Sequence, residues 1–265
     1  MRIASWNINS VRARVDRVLA YLDDHQIDVL ALQETKVADS AFPVEPFEAA
    51  GYEVARTGFD QYNGVALISR LGLSQVQTKF PGQPAFGKDG KEPRVEARAI
   101  SAVCGGVTVW SLYVPHGRGL EDPHMSYKLE FLSVLAHDAV GWLTAAPSAQ
   151  IALVGDFNVA PLDTDVWDPA VFEGKTHTSP AERAALTRLS QSGFSEVTRQ
   201  HLPDERNYTF WDYQQLRFQR NQGMRIDFAF CSPALSARVA EVRIVRDERK
   251  GVGASDHVPV ELDIS

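Results

Sequence analysis

The chain has 265 residues, 44% of them hydrophobic, and 27 Lys and Arg against 34 Asp and Glu give a net charge of −7. Length and apolar content suit one large, well-buried α/β domain over residues 1–265, and no run approaches the length that spans a bilayer. Taken alone the acidic balance argues weakly against a nucleic-acid partner, and where the cations fall locally is the test of it.

Met1 to Asn7 read as a strand rather than a targeting segment, which predicts a soluble cytoplasmic protein without a membrane partner. Further β-rich runs are expected at 29–33, 64–69, 97–103, 107–114, 151–154, 226–231 and 258–264. Between the first two lies a helix with Val11, Val15, Val18, Leu19 and Leu22 on its apolar face. Two more helices are expected at 125–143 and 180–191, the second capped by Ser179 with Pro180 at its first position. Several links between strands, such as that through Gly105 and Gly106, are too short for a helical crossover. The sheets should therefore be mixed, packed in layers with flanking helices. Cys104 and Cys231 stand far apart in apolar contexts and read as buried, reduced thiols.

Oxygen ligands recur where apolar runs end: Asn7 and Asn9, Glu34, then Asp156 with Asn158. Asp256 and His257 lie just before the final strand. Side chains escape the packed layers at strand ends, so a shared site explains the pattern, although each residue alone is an ordinary turn former. The donors suit a hard cation, Mg²⁺ with Mn²⁺ as a substitute, and there is no zinc-type spacing of Cys and His. Asp227 sits inside MRIDFAF, where an unpaired carboxylate would be costly. Its partner is either His257, whose tautomer it would fix, or Arg225 or Arg220 in a structural bridge.

The segments WNIN (6–9), LQETK (32–36), GVAL (64–67), YVPHGR (113–118), GDFNVAP (155–161), TFWDY (209–213), RIDF (225–228) and SDHVPV (255–260) occur in one order along the chain. In order and spacing the set resembles the exonuclease III family of the endonuclease/exonuclease/phosphatase superfamily. The resemblance implies a four-layer α/β sandwich, two mixed β-sheets packed face to face and flanked by helices. It implies a Mg-dependent DNA phosphodiesterase of base-excision repair: a 3′→5′ exonuclease on duplex DNA, an endonuclease 5′ to abasic sites, or both, acting as a monomer. By the same resemblance Asn7, Glu34, Asp156, Asn158 and Asp256 bind metal directly or through water. Asp156 is also an acid/base candidate, Asn158 steadies the attacking water or the phosphate, Tyr113 reaches the phosphate or the leaving oxygen, and Asp227 with His257 forms the family's carboxylate and histidine pair. Arg118 and Lys128 match positions near the DNA backbone, and Phe210, Met224 and Ile226 match an apolar pocket for an abasic deoxyribose.

Arg94 adds a cation near the central strands. The alternation of Arg217, Arg220 and Arg225 with Phe210, Trp211, Tyr213 and Phe218 suits an unstacked nucleotide, although Trp211 and Phe218 read as core. Arg12, Arg14 and Arg17 read mainly as a solvated face, with Arg12 near Asn9. One position departs from the family pattern: His116 stands in the DNA-contacting place where Asn or Gln usually follows YVP. A superfamily phosphoesterase acting on RNA or small molecules would keep the acids and His257 but need not keep TFWDY or RIDF, so those segments favour DNA.

Overall fold

The computed structural model describes residues 1–87, 92–204 and 206–265. In chain order its strands begin with β1 (Arg2–Asn7), β2 (Val29–Gln33), β3 (Glu53–Thr57), β4 (Val65–Ser69), β5 (Ser74–Gln77), β6 (Ala85–Phe86) and β7 (Arg94–Val95). They continue with β8 (Ala99–Cys104), β9 (Val107–Tyr113), β10 (Ile151–Asp156), β11 (Ser195–Glu196), β12 (Asp227–Cys231), β13 (Val239–Ile244) and β14 (Val260–Ile264). The helices that matter here are α1 (Val15–Asp24), α2 (Glu45–Ala49), α3 (Pro123–Ala145), α4 (Pro169–Phe172) and α5 (Pro180–Gln191).

Two six-stranded sheets result, ordered β13-β14-β1-β2-β4-β3 and β11-β12-β10-β9-β8-β5, with β6 and β7 forming a small separate ribbon. Each large sheet has one parallel pair at its centre, β1 with β2 and β10 with β9, flanked by antiparallel neighbours. Alternation along the strands decides the layers. Ile3, Val29, Val109, Val154 and Ala229 point between the sheets into a common core. Ala4, Trp6 and Leu30 point outward to Val18, Tyr21 and Phe47 of α1 and α2, and Trp110, Leu153 and Phe228 point outward to Phe131 and Ala185 of α3 and α5. The architecture is thus the four-layer sandwich with mixed sheets.

The expected helices are all present, with α3 running two residues longer at each end than anticipated. Val11 lies in the loop before α1 yet is fully buried, so it belongs to the same apolar face. The Ser179 cap is realised reciprocally: Ser179 Oγ accepts from Glu182 N at 3.3 Å, and Glu182 Oε2 accepts from Ser179 N at 3.1 Å. Strands β3, β5, β6, β7, β11 and β13 go beyond the sequence expectation. Of these β3, β5, β11 and β13 are sheet edges, β6 and β7 form the separate ribbon, and β5 is exposed at every residue, so little burial marks them. Among the described residues no helix is long and apolar enough to cross a membrane.

Candidate active site

Both sheets deliver polar side chains to the same edge. Asn7 ends β1 and Asp156 ends β10, and their neighbours across the parallel pairs are Gln33, which leads into Glu34, and Tyr113. Asp227 opens β12 opposite Asp156, and His257 precedes β14. Two backbone features allow this convergence. A Cβ on Gly155 would lie 1.9 Å from Leu112 O, so only glycine lets β10 run this close to β9 just before the acid. Glu34 and Asn158 adopt left-handed backbone, with φ of 51° and 52°, turning their side chains back over the strand ends.

Asn7 Nδ2 joins the acids, donating to Glu34 Oε1 at 2.8 Å and to Asp156 Oδ2 at 3.0 Å. Lys36 Nζ stands 2.7 Å from Glu34 Oε2. Burial alone would raise the Glu34 carboxyl, but Lys36 and Asn7 hold it below its ordinary range. Asp156 is 1% exposed, and burial pushes its carboxyl up to about 7, with Asp227 and Glu34 adding to the rise and His257 opposing it. His257 Nδ1 lies 2.8 Å from Asp227 Oδ2, which also accepts from Thr209 Oγ1 at 2.6 Å. Burial works against the imidazolium, yet Asp227 and then Asp156 outweigh it and raise His257 to about 10. Nδ1 is consequently the proton donor to Asp227, and Nε2 faces Asp156 Oδ2 at 3.7 Å.

Glu34, Asp156 and His257 each bring one ligand-capable atom within 4.8 Å of the others. The two carboxylates suit a hard divalent cation, and the buried Asp227 Oδ1 has no hydrogen-bond partner, so the pocket holds more oxygen-donor capacity than the protein satisfies. Asp256 stands further out, its Oδ1 accepting from Asn9 Nδ2 at 3.0 Å. Asn158 donates to Asp156 Oδ2 at 3.2 Å and to Val114 O at 3.0 Å, so its amide hydrogens already serve the protein. Tyr113 lies over Arg98, with the guanidinium carbon 4.8 Å from the ring centroid, and burial and the nearby Glu34 keep the phenol protonated well above its ordinary range.

The sequence reading divided this set into a metal side and a separate Asp227–His257 pair. The structure brings His257 against Asp156, so the pair adjoins the acids rather than standing apart. Arg225 does not pair with Asp227, since its Nη1 donates to Leu202 O at 3.1 Å. Lys128 requires a correction. Its side chain is fully buried and its Nζ donates to His116 O, Asn158 O and Glu182, so it is not a contact for a DNA backbone. Arg94 and Arg118 do reach a surface cavity of ≈ 490 Å³ that Arg98 also lines, and Arg94 is tied to Asp60 at 3.1 Å. His116 is exposed beside it in sequence.

Phe210, Met224 and Ile226 pack with Ala160, Val166 and Phe172 in one apolar cluster, and the Phe210 ring lies 4.8 Å from that of His257. Trp211 and Phe218 pack in the core as expected. Arg14 is an anchor, donating to Gly253 O at 2.8 Å and Tyr213 OH at 3.0 Å, while Arg17 pairs with Glu248 at 2.9 Å and Arg12 is exposed. One residue escaped the sequence reading: His177 Nε2 lies 3.2 Å from Asn158 Oδ1 and its ring meets His116 edge-on at 4.6 Å. It sits in the loop THTS, where no periodicity or motif distinguishes it.

Buried carboxylates around a hard-cation pocket, with a charged imidazole held against them at the mouth of a sandwich, define a metal-assisted phosphoester hydrolase. The model of the endonuclease/exonuclease/phosphatase family matches residues 4–257. The chain is 31% identical to exodeoxyribonuclease III of Haemophilus influenzae, with 98% of each chain covered. A 3′-5′ exonuclease from Neisseria meningitidis superposes with a TM-score of 0.92 at 34% identity, all of both chains being covered. An AP endonuclease from Archaeoglobus fulgidus gives 0.91 at 31% identity, covering 100% of this chain and 99% of that one. This chain belongs to the endonuclease/exonuclease/phosphatase family, in its exodeoxyribonuclease III branch.

Proposed function

We propose that this chain is a DNA-repair phosphodiesterase that trims 3′ ends of duplex DNA, incises 5′ to abasic sites, or both. It works as a monomeric cytoplasmic enzyme, one catalytic domain over residues 1–265, with Mg²⁺ as its ion and Mn²⁺ as a substitute. The observation that carries the reading is the meeting of Glu34, Asp156 and His257 within 4.8 Å, backed by Asp227 at 2.8 Å from the imidazole. Neutralising a phosphodiester, aligning a water and protonating a departing 3′ oxygen require these groups together.

Glu34 and Asp156, assisted by Asn7 and by Asp256 through water, would hold the cation, which when bound withdraws charge from the phosphate oxygens. His257, kept charged by Asp227, offers Nε2–H to a non-bridging oxygen. Asp156, whose carboxyl burial raises above its ordinary range, is the acid/base candidate for the attacking water. Asn158 acts by holding Asp156 in place. Tyr113, protonated throughout the working range, donates at the phosphate or the leaving oxygen. Arg94, His116 and Arg118 meet the duplex from one side, and the cluster of Phe210, Met224 and Ile226 receives the sugar beside the scissile bond.

The test incubates purified protein with a 3′-recessed duplex and with an abasic-site duplex, in Mg²⁺ or in EDTA, beside Asp156→Asn. Cleavage in Mg²⁺ alone, lost in the variant, is expected. Cleavage of neither duplex, or full activity in EDTA, refutes the proposal.

A further inference from the structure

An ion pair with no exposed side-chain surface joins Lys128 of α3 to Glu182 in the first turn of α5, and the hydrolysis described above makes no use of it. Its bonds lead to three separate loops. Lys128 Nζ also donates to Asn158 O at 2.6 Å and to His116 O at 3.1 Å. Glu182 Oε1 accepts from Thr176 Oγ1 at 2.8 Å and from His177 N at 2.9 Å, while Oε2 accepts from Ser179 Oγ at 2.6 Å.

The segments so gathered are under backbone strain. Asn158 and His177 both hold left-handed conformations, with φ of 52° and 80°, which ordinary residues keep only where the surroundings over-determine them. Their side chains then meet at 3.2 Å, and Asn158 in turn contacts Asp156. A buried ion pair contributes little net stability, because desolvation offsets the attraction and apolar replacements are often neutral. Stability alone therefore does not account for two charges sealed at this place.

We infer that Lys128 and Glu182 are positioning residues, a shared anchor that fixes the loops bearing Asn158, His116 and His177 and so holds Asp156 and the phosphate-facing groups in register. The inference rests on the hydrolase reading given above. A displacement of the order of 1 Å at reacting groups costs about a hundredfold in rate, so the anchor acts through geometry alone.

The experiment measures kcat and KM for 3′ trimming of a recessed duplex at saturating Mg²⁺ in the wild type, Glu182→Gln, Lys128→Met and the double variant, with thermal melts of each. Glu182→Gln keeps a carbonyl acceptor for the loop and serves where Lys128→Met folds poorly. The expected result is a fall in kcat of about 10- to 100-fold in each single variant, with KM within about twofold. The protein should remain folded at the assay temperature, and the double variant should lose little more than the worse single one, since the pair works as a unit. Unchanged kcat in both single variants overturns the inference, as does a loss carried by KM or one matched by the unfolded fraction of Glu182→Gln. A wild type that cleaves no DNA instead overturns the hydrolase reading, and this inference with it.

Discussion

Replacing Asp227 with Asn removes the charge behind His257 while nearly preserving shape. With Nδ1 2.8 Å from Oδ2, the two charge centres stand about 4 Å apart, and at an effective dielectric of about 20 they attract by about 4 kcal/mol. Divided by 1.36 kcal/mol per pKa unit, that is about three units. The imidazole, held at about 10 in the native protein, should drop to about 7. At pH 8 the charged fraction then falls from nearly all to about a tenth, so kcat falls at least about tenfold from titration alone. The assay is a profile of kcat at saturating Mg²⁺ from about pH 5.5 to 10: the alkaline limb of the variant should move toward acid by about three pH units. Stability follows the same sign. A raised histidine pKa contributes stability that is fully present below its unfolded value, about 6.5, and is lost as pH rises through about 10. The gap in melting temperature between wild type and variant should accordingly be widest near pH 6 and narrow toward pH 10. Coincident kcat profiles would refute the reasoning.

Glu34→Ala removes a cation ligand rather than the imidazole's partner. Raised Mg²⁺ should partly restore its activity, whereas the same titration should leave Asp227→Ala unimproved; equal rescue of both would contradict this split. Because burial raises the Asp156 carboxyl to about 7, a cation must displace its proton in more acidic solution, and affinity should fall about tenfold per pH unit below that point. Thermal shift with Mn²⁺ at pH 5.5 and pH 8 reads this directly, and equal affinities would sink the idea. His116→Asn, which restores the usual amide of the exonuclease III family, should raise abasic cleavage relative to 3′ trimming, measured as the ratio of rates on the two duplexes. An unchanged ratio removes His116 from that choice.

The site was legible because its chemistry is tied to strand ends, and strand ends are marked in sequence by an apolar run giving way to a carboxylate or amide. Asn7, Glu34 and Asp156 all follow this rule, and Gly155 announces its own close approach. Lys128 misled because a lysine in a helix ordinarily points to solvent, and the carboxylate that draws it inward lies 54 residues away. His177 was invisible for the same reason, since its meaning comes from Asn158, which it reaches across 19 residues. Edge strands were lost through lack of contrast: in β13, VAEVRI, only Val242 is buried, and the strand is recognisable only once β14 pairs with it. Motif order thus located the reacting groups, while the second layer that holds them depends on contacts no local pattern records.

The first sheet ties distant parts of the chain together at the site. β14 pairs with β1 from Arg2↔Asp263 to Ser5↔Val260, and His257 stands just ahead of it. Glu34 follows β2, the neighbour of β1 on its other side, so strands flanking β1 seat the carboxylate and the imidazole. Because a domain folds as a unit, the reacting groups come together only when β1 is paired between β2 on one side and β14 on the other.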